Sequence, residues 1–330
     1  MSEYGVRITG TGSYLPETVV TNADLERMVD TSDEWIRTRT GIRERRVAAE
    51  DEPTSSLGFK AAQRALEAAG LQPEDLDLII VATLAPDTIF PNTGCHLQRK
   101  LKARNAACFS LEAACSGFLY GFEVAANMIR HGAYRHILLF GAENITSLIN
   151  WQDRNTCVLF GDGAGAVVVS QTRREEDALL SSSLGADGNY ADLLYVPAGG
   201  SAMPVTHELL DQGKQYLTMN GREVFKLAVN GMVSASEAAM HSAGVRIEDI
   251  RWLVPHQANI RIIKAVGKRL EMPAERVYMN LQKYGNTSAA TVPICLDELV
   301  RGGKVSRGDH LLLTAFGGGL TWGAQVLRWQ

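Results

Sequence analysis

The chain has 330 residues, of which 45% are apolar and 21% charged, values typical of one or two globular domains. A formal net charge of -4 gives no overall reason to expect a nucleic-acid or membrane-surface ligand, and no window of 18 apolar residues predicts a membrane span. The five cysteines are odd in number, form no Cys-x-x-Cys pair and follow no secretory signal, so we expect a cytoplasmic protein with neither disulfides nor a metal site.

The first half of the chain alternates predicted strands and helices. Apolar spacing and capping residues predict strands at 6–12, 76–83, 106–111 and 136–141, and helices at 22–29, 54–70, 92–102 and 119–130. The strand at 76–83 is almost continuously apolar, as in a parallel sheet buried on both faces. The glycine-rich segment 161–166 does not match G-x-G-x-x-G and precedes strand residues. It therefore predicts a tight turn between two strands rather than a nucleotide site.

The polar segment 171–177 is the best candidate for a boundary, which predicts one half at 1–172 and another at 173–330. The second half begins with an irregular region at 187–213. Helices follow at 221–242, 259–270 and 287–300, with strands at 252–255, 310–315 and 324–328 and a loop at 278–287. Pro293 should bend the helix at 287–300 or restrict its first turns.

The two halves resemble each other in sequence. Residues 69–81 match 243–255, and 136–139 match 310–313, both at an offset of 174. Arg130-His-Gly matches Arg301-Gly-Gly at an offset of 171, which would place Cys115 opposite Asn286 and Ser116 opposite Thr287. Such similarity predicts a duplicated βα unit, with chance resemblance of two helix–loop–strand segments as the alternative.

Cys115 lies in Glu112-Ala-Ala-Cys-Ser-Gly-Phe118, between a predicted buried strand and a helix. Free N–H groups at a helix start stabilise negative charge, so a thiol there should lose its proton more readily and act as a nucleophile. The competing interpretation is a buried cysteine that only fills space.

Three further polar or glycine-rich positions follow predicted strands or precede helices. His256 lies in Pro255-His-Gln-Ala-Asn259, Asn286 lies in Gly285-Asn-Thr-Ser-Ala289, and three glycines occupy 317–319. Alone, the histidine could be a satisfied core residue, the asparagine a helix cap and the glycines a flexible turn. Together with Cys115 they predict one pocket at the strand ends, with glycine N–H groups pointing into it.

An arginine-rich stretch at 31–46 carries Trp35 and five arginines, at positions 37, 39, 43, 45 and 46. It is either a solvated helix and loop or an anion site beside an aromatic platform, suited to a phosphorylated ligand with a flat ring.

In combination these motifs resemble the β-ketoacyl-acyl carrier protein synthase III family, which starts type II fatty acid synthesis. The resemblance runs nearly end to end and includes Thr31-Ser-Asp-Glu-Trp-Ile, Phe160-Gly-Asp-Gly-Ala-Gly-Ala and Phe316-Gly-Gly-Gly-Leu-Thr-Trp-Gly323. Ser116 departs from the alanine of many members. The resemblance implies an α/β thiolase fold, with duplicated βαβαβαββ halves in a five-layer α-β-α-β-α arrangement.

The resemblance also implies roles for individual residues. Cys115 would take an acyl group from acyl-coenzyme A (acyl-CoA), most simply acetyl-CoA, with the N–H groups of Cys115 and Gly318 as oxyanion hole. His256 and Asn286 would stabilise the enolate formed when malonyl-acyl carrier protein loses carbon dioxide. Other implied contacts are Trp35, Arg39, Arg154 and Asn259 for coenzyme A, and Phe90, which would reach across a homodimer to limit the acyl pocket. The coenzyme A thioester is a substrate, so no cofactor is expected.

Arg261, Lys264 and Lys268 are spaced for one basic helical face, either simply solvated or a dock for an acidic carrier protein. Condensing enzymes of specialised metabolism, of polyketide or quinolone type, also use Cys, His and Asn and remain an alternative. A further alternative is a non-catalytic carrier-protein-binding subunit, which would be expected to lack Cys115. The hypothesis of a nucleotide-binding regulator is supported only by the glycine-rich segment 161–166.

Overall fold

The computed structural model describes residues 3–330, which form thirteen strands and ten α-helices. The strands are β1 Tyr4–Tyr14, β2 Thr18–Thr21, β3 Glu44–Val47, β4 Leu78–Ala82, β5 Ala107–Leu111, β6 His136–Glu143, β7 Gly163–Arg173, β8 Leu179–Ala186, β9 Leu194–Tyr195, β10 Thr218–Met219, β11 Ile250–Pro255, β12 His310–Gly317 and β13 Thr321–Arg328. The helices are α1 Asn22–Glu26, α2 Asp33–Thr40, α3 Thr54–Ala69, α4 Thr93–Leu101, α5 Gly117–Arg130, α6 His207–Asp211, α7 Gly221–Ala243, α8 Ile260–Arg269, α9 Leu281–Tyr284 and α10 Thr291–Arg301.

Two mixed sheets form the centre of the molecule. The first has the order β1-β7-β6-β4-β5 and the second β11-β12-β13-β8. In the first sheet β4 is parallel to both β5 and β6, while β7 is antiparallel to β6 and β1. In the second, β11 and β12 are parallel and β13 is antiparallel to its neighbours. The carboxyl ends of β4, β5 and β6 therefore meet at one edge, as do those of β11 and β12.

The helices complete a five-layer arrangement. Helices α5 and α10 pack in one buried cluster with residues of both sheets, including Ile80 and Leu313. Helix α3 covers the outer face of the first sheet together with α4. Helices α7 and α8 cover the outer face of the second sheet. Burial of one continuous apolar layer between the sheets holds the two halves together.

The duplication predicted from the sequence is confirmed by topology. Strands β4, β6, β7 and β1 have β11, β12, β13 and β8 as counterparts in the same spatial order. The counterpart of β5 is reduced to a single parallel bridge between Leu253 and Val277.

The register predicted for Cys115 is wrong. A short 3-10 turn at Ala114–Ser116 has its counterpart at Ser288–Ala290, at an offset of 288 − 114 = 174, and the following helices also begin 174 apart. The counterpart of Cys115 is thus Ala289, not Asn286. The offset changes to 171 inside the helices, because α5 has 14 residues and α10 has 11. The two helices therefore match at one offset at their starts and at another at their ends.

Several other predictions need correction. Strand β5 is half-exposed rather than buried, because it is the edge strand of its sheet. The segment 161–166 is not a turn between two strands, because β7 already begins at Gly163 and the chain before it forms turns and one isolated bridge at Phe160. The loop at 278–287 contains α9, and Pro293 falls in the first turn of α10. Within residues 3–330, no helix is long and apolar enough to cross a membrane.

Candidate active site

Cys115 lies in the 3-10 turn that joins β5 to α5. The turn begins at Ala114, whose φ of 43° places a residue with a side chain in the left-handed region. Gly317 at the end of β12 approaches so closely that a Cβ atom on it would lie 2.6 Å from the Cys115 nitrogen. A glycine there lets two backbone segments meet at the thiol, and the side chain of Cys115 is only 5% exposed.

The easy ionisation predicted for the Cys115 thiol is wrong. Burial raises the pKa of the thiol to about 12; the Ser288 hydroxyl opposes this, and the carboxylates of Glu143 and Glu112 add to it. The loss of solvation outweighs the favourable field at the start of α5. Cys115 is therefore a neutral thiol at rest and needs a proton acceptor to become a nucleophile.

His256 follows β11 directly and is 2% exposed. Burial lowers its pKa to about 3, so the resting imidazole is neutral. Its backbone N–H donates to the Thr314 carbonyl at 2.8 Å, which ties the end of β11 to β12. Its Nδ1 atom lies 2.6 Å from Thr291 Oγ1, at the start of α10. The ring is thus fixed from both its backbone and its side chain.

Asn286 is oriented by its own turn. The Ser288 N–H donates to Asn286 Oδ1 at 2.8 Å, and the Asn286 N–H donates to the Leu159 carbonyl at 2.8 Å. Because the side-chain oxygen is already used as an acceptor, the Nδ2 amide is the group left to donate into the neighbouring cavity. Ser288 has a φ of 50°, which mirrors the strained Ala114 in the other half.

Cys115, His256 and Asn286 line one cavity of about 150 Å³, so the structure brings these three residues together. Its other walls are mainly apolar and come largely from α7, α8 and β9, including Leu194, Phe225 and Met232. A second cavity of about 310 Å³ also reaches Cys115 and contains Gly318. Leu84, Ile145, Val196 and Leu217 give it an apolar wall. Two spaces of different lining therefore meet at the thiol.

Ser116 points away from these cavities. Its hydroxyl donates to the Ala113 carbonyl at 2.8 Å and lies 2.6 Å from Thr321 Oγ1. The serine hydroxyl is thus satisfied by the Ala113 carbonyl and by Thr321 at the start of β13.

Glu143 was missed by the sequence analysis, although an acidic residue at the end of a strand that is apolar from Ile137 to Ala142 is a visible signal. Its fully buried carboxylate accepts hydrogen bonds from Thr83 Oγ1 and from the N–H groups of Leu84 and Ala85 at 3.0–3.3 Å. Burial raises the pKa of Glu143 to about 8, although these hydrogen bonds by themselves lower it. It fixes the chain after β4, where Leu84 lines the second cavity. Thr291 and Ser288 were missed too, because their importance depends on contacts with His256 and Asn286.

The structure brings Trp35, Arg39 and Arg154 together. The guanidinium carbons of Arg39 and Arg154 lie 5.2 Å and 4.3 Å from the Trp35 ring centroid. The five arginines do not form one anion site, however. Arg45 is fully buried and donates to Asn22 Oδ1 and to backbone carbonyls, while Arg37 pairs with Asp33 at 3.0 Å.

The remaining predicted site residues lie in two different settings. Asn259 caps α8 by accepting from the Arg261 N–H at 2.8 Å, and it lines the cavity of His256. Arg261, Lys264 and Lys268 are exposed on α8, and none of them forms an ion pair within 4.0 Å in the part of the chain described. Phe90 is 87% exposed and lines neither cavity at Cys115.

Comparison with known proteins identifies the family. Family models described as 3-oxoacyl-[acyl-carrier-protein] synthase III and its C-terminal part match residues 109–188 and 240–329. The beta-ketoacyl-[acyl-carrier-protein] synthase III of Roseiflexus sp. (strain RS-1) is 56% identical over 329 residues, covering 100% of this chain and 99% of the relative. The chain belongs to the 3-oxoacyl-[acyl-carrier-protein] synthase III family.

Solved synthase III structures confirm the predicted thiolase fold. The enzyme of Aquifex aeolicus VF5 superposes with a TM-score of 0.91 at 48% identity, covering 98% of this chain and 100% of that one. A priming β-ketosynthase of the R1128 polyketide pathway gives a TM-score of 0.92 at 36% identity, with 99% and 97% covered. As a synthase III, the chain is a condensing acyltransferase of fatty acid biosynthesis.

Proposed function

We propose that this synthase III transfers an acyl group, most simply acetyl, from acyl-CoA to Cys115 and then condenses it with malonyl-acyl carrier protein. The products are 3-oxoacyl-acyl carrier protein, carbon dioxide and coenzyme A. The observation that carries the proposal is the convergence of Cys115, His256 and Asn286 on one cavity. A nucleophile, an imidazole that can accept or donate a proton, and an amide donor are the groups that acyl transfer and enolate stabilisation require.

In the first half-reaction the Cys115 sulfur attacks the thioester carbonyl of acyl-CoA. The developing oxyanion would accept hydrogen bonds from the N–H groups of Cys115 and Gly318, two segments that Gly317 allows to approach. The apolar cavity beyond Gly318 offers room for the acyl chain. The acylated cysteine is the intermediate that waits for the second substrate.

In the second half-reaction malonyl-acyl carrier protein enters the cavity lined by His256 and Asn286. Loss of carbon dioxide leaves an enolate, and Asn286 Nδ2 is oriented to donate to its oxygen because Oδ1 is held by Ser288. The enolate carbon then attacks the acyl-cysteine. Decarboxylation itself creates the carbanion, so no base, metal or redox cofactor is needed for this step.

Coenzyme A is expected to bind at the Trp35 cluster. The Trp35 ring offers a stacking surface for adenine, and Arg39 and Arg154 place positive charge beside it for phosphates. Asn259 lines the catalytic cavity, where it could contact the pantetheine arm.

We also propose that the enzyme is a cytoplasmic homodimer. Strand β5 is an exposed sheet edge, and Ile89 and Phe90 nearby in sequence are 90% and 87% exposed. An apolar edge of this kind is normally covered, and a second copy of the chain would cover it. Phe90 would then reach the acyl pocket of the partner. The five free thiols are compatible with a reducing compartment.

Reversing charge on α8 tests the carrier-protein dock. Arg261→Glu combined with Lys268→Glu is expected to raise the KM for malonyl-acyl carrier protein about 10-fold and to leave the KM for acyl-CoA unchanged, because only the acidic carrier loses complementary charge. Steady-state kinetics with each substrate varied would measure both constants. Arg246→Glu, which precedes β11 rather than following it, is the matched control and should change neither. An unchanged carrier KM in the double variant would make this helix an ordinary solvated face.

The proposed function predicts a covalent acyl group on Cys115. Incubation with acetyl-CoA alone should add one acetyl mass to the intact protein, and peptide mass spectrometry should place it on Cys115. The same experiment across acyl-CoA chain lengths would rank the primers that the enzyme accepts. An adduct on another residue, or none, would refute the mechanism.

A specialised condensing role is the second candidate, favoured by the 36% identity to a priming β-ketosynthase of a polyketide pathway. A preference for long or unusual acyl-CoA primers in the adduct assay would support it. A non-catalytic carrier-binding subunit is disfavoured by the presence of Cys115 beside His256 and Asn286.

A further inference from the structure

We propose that Thr291 holds the neutral His256 ring in the tautomer that carries its proton on Nδ1. Nε2 then first accepts the thiol proton of Cys115 and later carries the one proton that condensation consumes. The inference rests on the proposed function and deepens it. Thr291 is a positioning residue in this scheme, since it acts through His256 and not on the substrate.

The tautomer follows from the protons available along a chain of three buried groups. Thr291 Oγ1 donates to the Ser288 carbonyl at 2.7 Å, and a carbonyl can only accept. A threonine hydroxyl has one proton, so the 2.6 Å contact between the same Oγ1 and His256 Nδ1 needs a proton from the ring. The opposite arrangement would leave two oxygens 2.7 Å apart with no proton between them. All three residues are at most 2% exposed, so these groups must satisfy one another.

With Nδ1 directed at Thr291, Nε2 is the nitrogen left for the cavity that His256 shares with Cys115 and Asn286. Cys115 is the other titratable side chain that lines this cavity. Glu112 lines the adjoining cavity, and Glu143 is buried near enough to raise the pKa of the thiol. No carboxylate contacts the ring among the hydrogen bonds of the described residues. Neutral Nε2 is therefore an acceptor placed for the thiol proton.

Acyl transfer uses this acceptor without a net change of protonation. The S–H bond of Cys115 breaks and its proton moves to Nε2, while the sulfur forms a bond to the acyl carbon. The carbon–sulfur bond to coenzyme A then breaks, and the leaving thiolate takes the proton from Nε2. His256 returns to the neutral ring with its proton on Nδ1.

Condensation, in contrast, consumes one proton. The malonyl carboxylate leaves as neutral carbon dioxide, and Cys115 must return to a neutral thiol. Because Thr291 occupies Nδ1, the solvent proton enters at Nε2. The resulting imidazolium donates to the enolate oxygen beside Asn286. It then protonates the Cys115 sulfur when the tetrahedral intermediate collapses. A neutral ring in this tautomer would instead turn a lone pair toward the enolate oxygen.

Two variants separate this proposal from a structural role for Thr291. Thr291→Val keeps the branched shape and removes the hydroxyl, whereas Thr291→Ser keeps the hydroxyl. In the valine variant the neutral ring can place its proton on Nε2. Release of coenzyme A from acetyl-CoA should then slow on the order of 10- to 100-fold, since the general base is lost. The rate of malonyl-acyl carrier protein decarboxylation, measured alone, should decline at high pH in the wild type. In Thr291→Val this decline should be absent. Thr291→Ser should keep both wild-type profiles.

Long-range ¹H–¹⁵N NMR of the full-length enzyme reads the tautomer directly, with the His256 signals assigned by their loss in His256→Gln. We expect a protonated Nδ1 and a bare Nε2 in the wild type. A protonated Nε2 in the free wild type would overturn the proposal. So would equal slowing of both half-reactions by Thr291→Val with unchanged pH profiles. The expected tautomer together with no acetyl adduct on Cys115 would refute the proposed function and the proton path, and would leave the role of Thr291 in fixing the ring supported.

Discussion

Cys115→Ser is expected to lower the rate of condensation at least about 1,000-fold without unfolding the protein. The hydroxyl would occupy the same buried turn beside the neutral His256, but an alkoxide forms far less readily than a thiolate, and the buried site offers no compensating charge. The acetyl adduct should be lost as well. Decarboxylation of malonyl-acyl carrier protein should persist, because His256 and Asn286 are untouched.

The matched control is Ser116→Ala, one residue further along the same turn. Its hydroxyl contacts Thr321 and the Ala113 carbonyl rather than a cavity, and Thr321 Oγ1 also reaches that carbonyl at 2.9 Å. We expect a loss of about 1 kcal/mol in the free energy of unfolding and a condensation rate within about 2-fold of wild type. A Cys115→Ser enzyme with near wild-type condensation would contradict the assignment of the nucleophile.

Asn286→Ala should slow malonyl decarboxylation about 100- to 1,000-fold, the cost of removing one donor from an oxyanion. The amide Nδ2 is oriented into the cavity because Oδ1 accepts from the Ser288 N–H, and alanine supplies no replacement. Acyl transfer to Cys115 relies on the N–H groups of Cys115 and Gly318, so its rate should change only a few-fold. Rapid-quench measurement of coenzyme A release and of carbon dioxide release would compare the two half-reactions.

Asn280→Ala provides a control at another buried asparagine. Its Nδ2 donates to Glu298 Oε2 at 2.8 Å, and the residue lines neither cavity at Cys115. We expect a lower free energy of unfolding, by about 1–3 kcal/mol, and unchanged decarboxylation per folded molecule. If Asn286→Ala lowered both half-reactions equally, the division of labour between Asn286 and the backbone oxyanion hole would be wrong.

Much of the fold could be predicted from local sequence. The long helix α7 and the buried strands β4 and β12 were found because their apolar spacing extends over whole elements. The repeat predicted the duplication, since both copies keep similar helix–loop–strand segments. The edge position of β5 was missed, because an apolar strand has the same pattern whether or not a neighbour covers it.

The residue-by-residue alignment of the two repeats could not be derived reliably from the sequence alone. Matching Arg130-His-Gly to Arg301-Gly-Gly made Asn286 the equivalent of Cys115 in the second repeat. The paired 3-10 turns show that the equivalent residue is Ala289. The two residues do lie in one cavity, but as neighbours across the interface of the halves rather than as equivalent positions. Because α10 is three residues shorter than α5, the match at the helix ends has a different offset from the match at the helix starts, and Cys115 lies at the start.

The sequence by itself determined the family, the duplicated α/β architecture and the identities of Cys115, His256 and Asn286, because each lies in a distinctive motif at a strand end or before a helix. Only the tertiary structure decided their ionisation and orientation. Helix position predicted a readily ionised thiol, yet burial raises the pKa of Cys115 to about 12 and lowers that of His256 to about 3. Solvation and hydrogen-bond partners such as Thr291 come from residues distant in the chain, so no local pattern can specify them.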